Sequence, residues 1–175
     1  MDFNHFLTSY MPNPNVGSKV HFQNMIEQSI LAEKLGYKKV SIPEHHLINL
    51  LMMPSPLQMA VKIASLTKNI SISTSVAVLP LHDMRTYAGE VATADILTDG
   101  RLILGVARGA FPWEMKRLGT PIEHSKEKFI ESLDVLQKLL NEKEVSYKGK
   151  YYNFEPITIM PRPISEPVPI MIAAM

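Results

Sequence analysis

Cysteine is absent from this sequence, and neither sign of charge predominates, because its 175 residues contain 18 Lys and Arg and 17 Asp and Glu. Without cysteine, a disulfide framework, a thiolate metal site and a thiol nucleophile are all excluded. The nearly balanced charge contains no basic block, which argues against a nucleic-acid surface or an anionic-membrane surface. Small-molecule chemistry is therefore the better expectation.

Long apolar runs are also missing. No run approaches the ~20 residues needed to span a bilayer, and residues 1–7 lack the basic start and the long apolar stretch of a signal peptide. We therefore expect a cytoplasmic protein with no membrane partner. The 46% of hydrophobic residues and the 20% of charged residues are typical of a single globular unit with a sizeable core.

Apolar segments of strand length alternate with longer segments of helical period, which is the signature of repeated βα units. The predicted strands cover residues 3–8, 39–42, 70–79, 102–106 and 169–174. The predicted helices cover residues 20–35, 56–66, 84–97 and 124–140. Gly36 is expected to end the first helix, and Ser55 is expected to be the N-cap of the second.

Repeated units of about 35 to 40 residues suit a (β/α)8 TIM barrel of ~250 residues or more. Four βα units and a fifth strand amount to roughly half of such a barrel, with residues 145–154 forming a hairpin insertion. We interpret residues 1–175 as the N-terminal half of a single α/β barrel domain. Because an open half-barrel exposes its edge strands, we expect a fragment, an incomplete chain or a swapped assembly.

The segment Pro43-Glu44-His45-His46 directly follows the second predicted strand. Loops at the carboxyl ends of parallel strands line the active sites of barrels and open sheets alike. Imidazole titrates near neutral pH and can both accept and donate a proton. The segment is therefore the first candidate for catalytic residues.

Several short segments together resemble the bacterial luciferase-like flavin monooxygenases, in that family's order and spacing and over essentially the whole chain. These segments are Asn4-His5-Phe6-Leu7, Ile42 to His46, Thr74 to Pro80, Thr98-Asp99-Gly100-Arg101 and Leu104 to Gly109. The resemblance implies a luciferase-like (β/α)8 barrel that binds reduced FMN at the carboxyl ends of its strands. It further implies that O2 is activated as a flavin C4a-peroxide, which oxidises a small apolar substrate such as an aldehyde.

The resemblance also implies partners. Reduced FMN is expected from a separate flavin reductase, and the family suggests a homodimer. Because the resemblance extends over only half a barrel, we expect that the 175 residues alone do not turn over. The family also contains deazaflavin-dependent oxidoreductases, and a non-catalytic flavin-binding relative or accessory subunit is a further alternative.

By the resemblance, His45 is the catalytic histidine, which exchanges protons with the reacting groups. Glu44 and His46 are interpreted as orienting or structural groups, since a carboxylate can fix the tautomer of an imidazole. A competing hypothesis is a metal-dependent hydrolase that uses His45, His46 and an acid as ligands. Adjacent histidines on an extended segment point in opposite directions, and no downstream His-x-His supports a metal cage. We therefore predict no metal site.

The remaining predicted flavin contacts follow the fourth strand of the prediction. Arg108 corresponds to the arginine that binds the flavin phosphate in the family, a role that suits its planar fork of donors. Gly109, with Gly105, is expected to permit close backbone approach. Ala107 stands where the luciferases carry a reactive cysteine, which weakens any expectation of light emission. Ala110 and Glu114 correspond to further positions on the pocket side of this loop.

Two further pairs complete the predicted site. Ser75 and Val76 correspond to the place where family members carry a non-prolyl cis peptide beneath the isoalloxazine ring. Phe111 and Trp113 are apolar aromatic residues on the loop after the fourth predicted strand, and they are candidates for the wall of the substrate pocket. The substrate itself is not readable from these residues.

Overall fold

Parallel strands and helices alternate along the chain in the computed structural model, which describes residues 1–173. The strands are β1 (Asn4–Phe6), β2 (Lys39–Ile42), β3 (Ser71–Thr74), β4 (Ala77–Val78), β5 (Leu102–Ala107), β6 (Val145–Lys148), β7 (Asn153–Ile157) and β8 (Ile170–Ile172). The helices are α1 (Ser18–Lys34), α2 (Pro56–Ala64), α3 (Met84–Leu97), α4 (Pro112–Arg117) and α5 (Ile122–Asn141). Short 3-10 turns occupy Pro14–Val16 and Leu79–Leu81.

The main sheet is parallel throughout. Strand β2 lies between β1 and β3, and β5 follows β3. Val106 of β5 pairs with both Ala77 and Ile172, so β4 and β8 lie on opposite edges of β5. This arrangement confirms the predicted α/β fold with parallel βα units, and all the carboxyl ends of the strands lie at one end of the sheet.

The core lies between the sheet and the helices. Side chains alternate between the two faces of each strand, and the buried residues Val40, Ile72 and Leu102 stand in register on three neighbouring strands. They belong to one apolar cluster with residues of the surrounding helices. The opposite face of β1, β2 and β3 carries polar side chains. The Ser41 hydroxyl there accepts a hydrogen bond from Asn4 Nδ2 at 2.9 Å and lies 2.7 Å from the Ser73 hydroxyl.

The turn after α3 connects several elements at the amino end of the sheet. Gly100 has a φ of 69° and Asp99 a φ of 54°, so the chain reverses through two left-handed residues. The Arg101 guanidinium then donates to the carbonyl oxygens of Thr98, at 3.0 Å, and Ala64, at 2.8 Å. Both carbonyls lie at helix C-termini, where acceptors lack intrahelical partners. In this structure, the Thr98 to Arg101 segment has a structural role.

The third predicted strand, residues 70–79, is wrong as a single element. Strand β3 ends at Thr74, the peptide between Ser75 and Val76 is cis, and β4 adds only two residues before the 3-10 turn. The physical reason lies in the neighbouring segment. Ser75 still donates to the carbonyl of Ile42, but the N–H of Val78 donates to a Glu44 carboxylate oxygen instead of a strand partner.

Smaller differences concern element ends. Ser55 stands at the N-cap of α2, but its side chain accepts no capping hydrogen bond. Helix α4 was not predicted, because its six residues are too few to show a helical period. Gly36, with a φ of 83°, follows α1 as predicted.

The last elements lie beyond α5. Strands β6 and β7 form an antiparallel hairpin, and β8 occupies residues 170–172 of the predicted fifth strand. Position 174 of that prediction lies outside the described residues. Within residues 1–173, the structure contains no helix with both the length and the apolar character required to cross a bilayer.

Candidate functional site

A small cavity of about 150 Å³ lies at the carboxyl ends of the parallel strands. It is lined by most of the predicted site residues, namely His45, Ser75, Val76, Ala107, Gly109, Ala110, Phe111 and Glu114. Glu44, Val78 and Ala173 also line it, although they were not predicted to do so. Segments that are far apart in sequence meet here because parallel connections return every strand in the same direction.

His45 lies at the edge of this cavity. Its backbone N–H donates to the carbonyl of Met53 at 2.8 Å, and its ring packs against Phe111 with centroids 5.2 Å apart. The Nδ1 atom is buried and has no hydrogen-bond partner among residues 1–173. Its nearest acid is Glu114, whose Oε2 is 3.6 Å away. The ring is thus positioned by packing, while one nitrogen is left without a hydrogen bond.

Glu44 is a buried carboxylate that binds three donors. Its Oε1 accepts hydrogen bonds from the Nε2 atoms of His46, at 2.6 Å, and His82, at 2.7 Å. Its Oε2 accepts the backbone N–H of Val78 at 2.9 Å. Burial alone raises the pKa of this carboxyl, but the hydrogen bonds from both imidazoles, the charge of His82 and the Val78 N–H together lower it to about 2. Glu44 therefore stays ionised throughout the physiological range.

The two imidazoles around Glu44 are themselves fixed. The hydrogen bond to Glu44 raises the pKa of His46 against an opposing effect of burial, and the backbone N–H of His46 donates to the Glu114 carboxylate. The His82 ring stacks on Tyr87 with centroids 4.3 Å apart, and the His82 carbonyl accepts the Tyr152 hydroxyl at 3.2 Å. The donors to the Glu44 carboxylate thus come from two segments, and Glu114, Tyr87 and Tyr152 hold the histidines in turn.

His82 is the residue that sequence reasoning missed. It lies 38 positions after Glu44 and follows the 3-10 turn, so only the parallel topology brings the two side chains together. A usable signal existed, since His82 follows the third apolar segment at the carboxyl end of the sheet. Glu44 orients His46 and His82 and makes no hydrogen bond to His45.

Arg108 has a different environment. It is exposed and makes no hydrogen bond or ion pair within residues 1–173, although it stands between the cavity-lining residues Ala107 and Gly109. Gly109 has a φ of 89°, and a Cβ there would lie 2.5 Å from Met115 Sδ. At Gly105 a Cβ would lie 2.1 Å from the Thr74 carbonyl oxygen. Both glycines therefore allow a close approach of the backbone to other parts of the protein, namely Thr74 and Met115.

The two predicted aromatic residues separate. Phe111 lines the cavity, whereas Trp113 lies 43% exposed on α4 and does not line it. Their rings are 5.8 Å apart, and the Arg117 guanidinium lies 5.4 Å from the centre of the Trp113 ring. Trp113 therefore extends the apolar surface away from the cavity, along the outside of α4.

These features define a class of protein: an α/β barrel-type fold with its polar site at the carboxyl ends of parallel strands. A family model described as luciferase-like monooxygenase matches residues 1–175, and the chain belongs to that family. Members similar to this chain depend on flavin or on the deazaflavin F420. The predicted family is thereby confirmed.

Three curated relatives illustrate the range of the family. Protein y4vJ of Sinorhizobium fredii is 35% identical over 97% of this chain and 48% of its own length. The oxygenase component of a flavin-dependent trigonelline monooxygenase from Acinetobacter baylyi is 30% identical over 87% of this chain and 43% of its own. An F420-dependent glucose-6-phosphate dehydrogenase from Amycolatopsis mediterranei is 31% identical over 87% and 47%. The chain thus spans about half the length of these relatives.

Solved structures agree on the fold. The monooxygenase RslO1 from Streptomyces bottropensis superposes with a TM-score of 0.92 at 26% identity, covering 98% of this chain and 53% of that one. The oxygenating constituent of 3,6-diketocamphane monooxygenase from Pseudomonas putida, solved with FMN, gives 0.88 at 21% identity, covering 98% and 51%. This chain therefore has the fold of about half of a luciferase-like TIM barrel.

Proposed function

We propose that this chain supplies the flavin-binding part of a monooxygenase that uses reduced FMN and O2 to oxidise a small apolar substrate, such as an aldehyde. The observation that carries the proposal is the cavity at the carboxyl ends of the strands, with His45 at its edge and Arg108 beside it. The alternative of a non-catalytic flavin-binding relative predicts the same binding without turnover.

The residues present fit one wall of a flavin site. Ala107, Gly109 and Ala110 give the cavity a wall of small side chains, against which a flat ring can lie. The volume of about 150 Å³ is below the ~300–1,000 Å³ of ordinary ligand pockets. The chain therefore supplies one part of the proposed flavin site. The other contacts would come from the rest of a full barrel.

Arg108 is the proposed phosphate contact. Its exposed guanidinium has no carboxylate partner within residues 1–173 and can bind a phosphate through two parallel hydrogen bonds. The partly buried Arg101, by contrast, already uses its donors on main-chain carbonyls at the opposite end of the sheet. The contrast supports an assignment of Arg108 to a ligand.

Reduced flavin, when bound, supplies the electrons that activate O2. The chain's own contribution to the reaction is a proton held or moved at His45 Nδ1, the buried ring nitrogen that has no hydrogen bond within residues 1–173. Glu114 Oε2 lies 3.6 Å from this nitrogen and is the carboxylate placed to orient the ring. Phe111 packs on the His45 ring and offers an apolar surface to the substrate.

Partners follow from the same proposal. The trigonelline relative is named as an oxygenase component, which supports delivery of reduced FMN by a separate flavin reductase. Homodimerisation is a further part of the proposal, and it rests on the family resemblance alone. A deazaflavin-dependent oxidoreductase is the second candidate, because an F420-dependent relative is 31% identical over 87% of this chain, against 30% over 87% for the trigonelline monooxygenase.

The first test is equilibrium binding of reduced FMN, oxidised FMN and F420 to the purified protein. Arg108→Ala should weaken FMN binding at least tenfold through loss of the phosphate contact, whereas Lys116→Ala removes an exposed cation on α4 and should leave it unchanged. Tight F420 binding with no FMN binding would favour the deazaflavin alternative. A folded protein that binds neither would contradict the proposal.

The second test separates catalysis from binding. In the complete enzyme, His45→Ala should reduce turnover by about 10²- to 10⁴-fold, the usual contribution of a general acid or base. Flavin affinity should change little, and His124→Ala, which removes an exposed histidine of α5, is the matched control. Unchanged turnover in His45→Ala would contradict a catalytic role for His45, whereas flavin binding without any turnover by the wild type would leave the non-catalytic relative as the better account.

A further inference from the structure

We propose that Glu44, His46 and His82 form a binding site for one transition-metal ion of the Zn²⁺ or Co²⁺ type. Their three potential ligand atoms lie within 4.8 Å of one another. Both imidazole Nε2 atoms already converge on the same carboxylate oxygen, at 2.6 and 2.7 Å. The residues come from two segments separated in sequence, so the convergence is a product of the fold.

The donor set suits such ions. Two imidazole nitrogens and one carboxylate oxygen are the ligands of open zinc sites and of the two-histidine, one-carboxylate iron sites, in which further positions remain for water. Ligand bonds of about 2.0–2.1 Å in a tetrahedral arrangement place neighbouring donors about 3.3 Å apart. The observed separations of the imidazole nitrogens from the carboxylate oxygen, 2.6 and 2.7 Å, are shorter, so binding requires the two imidazoles to move outward by roughly two thirds of an ångström.

The two imidazoles have room to move outward, whereas the buried Glu44 carboxylate is held in place. The His46 and His82 side chains are 20% and 22% exposed, whereas the Glu44 side chain is fully buried. The Val78 N–H fixes the second oxygen of Glu44, which aims the first one at the imidazoles. Interactions of this kind, one step out from the ligands, orient metal sites and raise their affinity.

Among residues 1–173, the two Nε2 atoms make no hydrogen bond other than those to Glu44, and the surroundings hold the histidines through other atoms. Glu114 binds the backbone of His46, and Tyr87 stacks on the ring of His82. The hydroxyl of Tyr87 is buried and has no partner within residues 1–173. In the absence of an ion, Glu44 is stabilised by hydrogen bonds from the two imidazoles; a metal ion would replace the protons of those bonds.

A bound ion would lie beside the flavin cavity. Glu44 lines that cavity and is also the central ligand of the proposed site. The metal site does not depend on the proposed monooxygenase activity, because its ligands are distinct from His45 and Arg108. Its test therefore succeeds or fails independently of flavin binding.

The experiment is a titration of the metal-free, full-length chain with Co²⁺, followed by visible absorption, and with Zn²⁺, followed by calorimetry. We expect one ion per chain and a Co²⁺ spectrum typical of nitrogen and oxygen ligands. His46→Ala and His82→Ala should each weaken binding by at least tenfold, since even the loss of an outer contact costs about 10- to 100-fold. The His124→Ala control should bind as the wild type does.

Circular dichroism on each variant establishes that it is folded before its affinity is compared. Glu44→Gln keeps the shape of the buried side chain while removing its charge, and it should also bind more weakly. Absence of stoichiometric binding by the folded wild type would overturn the proposal. So would equal affinity in the wild type, His46→Ala and His82→Ala, because the ion would then be held elsewhere.

Discussion

The amino and carboxyl ends of the parallel sheet differ in how their polar groups are satisfied. At the amino end, Arg101 donates to main-chain carbonyls, and the buried Asp95 accepts the N–H groups of Ile164 and Ser165. At the carboxyl end, His45 Nδ1 has no partner, and Arg108 is unpaired within residues 1–173. Polar groups whose hydrogen bonds are all made within the protein hold its elements together, whereas polar groups without such partners are available to a ligand.

The buried carboxylates show the same contrast. Asp95 accepts two backbone N–H groups and one hydroxyl, all of which are neutral donors that join α3 to the segment before β8. Glu44 accepts one backbone N–H and two imidazoles, which can change their protonation. Asp95 therefore connects two elements of the fold, whereas Glu44 belongs to a cluster with two histidines.

The largest effect on stability is expected from Arg101→Ala. The variant leaves the carbonyls of Ala64 and Thr98 and the Thr67 hydroxyl without their donor, and charge-assisted bonds contribute about 1.5–3 kcal/mol each. We expect the free energy of unfolding to fall by roughly 4 kcal/mol. Urea denaturation measures it, and a loss below about 1 kcal/mol would show that water replaces these bonds and would break the contrast between the two ends.

The next effect is a dependence of stability on pH. Because the pKa of Glu44 is about 2 in the folded state against an ordinary value of 4.5, its contribution is complete above pH 4.5 and is lost as the pH falls towards 2. Two to three pKa units correspond to about 3 kcal/mol. Urea denaturation across this range should show that loss in the wild type.

Two variants sharpen the assignment to Glu44. Glu44→Gln should flatten the acid limb of the stability curve, because the amide does not titrate. Glu123→Gln changes an exposed glutamate of α5 and should retain the wild-type limb. An unchanged acid limb in Glu44→Gln would contradict the role given to this carboxylate.

A smaller effect is expected from filling space with a single methyl group. Gly105→Ala places a Cβ 2.1 Å from the Thr74 carbonyl oxygen, which forces the backbone to move and should cost about 1–3 kcal/mol. Gly89→Ala, in α3, meets only the Met160 carbonyl at 3.7 Å and should raise stability by up to about 1 kcal/mol through helix propensity. Thermal unfolding distinguishes the two, and equal melting temperatures would contradict the close approach at Gly105.

The smallest effect on stability is expected from Arg108→Ala. An exposed side chain without partners contributes within about 0.5 kcal/mol, so this variant should unfold like the wild type while losing affinity for FMN. Arg101→Ala at the amino end should therefore lower the free energy of unfolding, whereas Arg108→Ala at the carboxyl end should lower only the affinity for FMN. A loss of stability in Arg108→Ala comparable to that in Arg101→Ala would remove the distinction.

Sequence patterns predicted the regular parts of the fold well. The bounds of β2 and α3 were predicted correctly, because the short buried run of β2 ends at Pro43 and the helix ends at the Thr98-Asp99-Gly100 turn. The interruption at residues 75–76 was predicted only through the family resemblance, since an apolar run carries no sign of where its backbone leaves the sheet. Helix α4 was missed because local periodicity needs more residues than it has.

The candidate site was predictable only in part for a related reason. His45 and the Ala107 to Glu114 segment follow strand ends, a position that local sequence reveals. The partnership of Glu44 with His82 depends on two strand ends becoming neighbours, and no local pattern records that. The metal-site alternative, which the sequence analysis rejected, combined His46 with His45, whereas the structure brings His46 together with His82 and Glu44.

His82 also joins the site to the hairpin. Its carbonyl accepts the hydroxyl of Tyr152, a residue of the turn between β6 and β7, and the same hydroxyl lies 3.0 Å from Ser132 of α5. A designer who transplants this site into another barrel must therefore carry Tyr152 along with the histidines. The β6–β7 hairpin, which lies outside the parallel sheet, therefore belongs to the smallest unit that can carry this site.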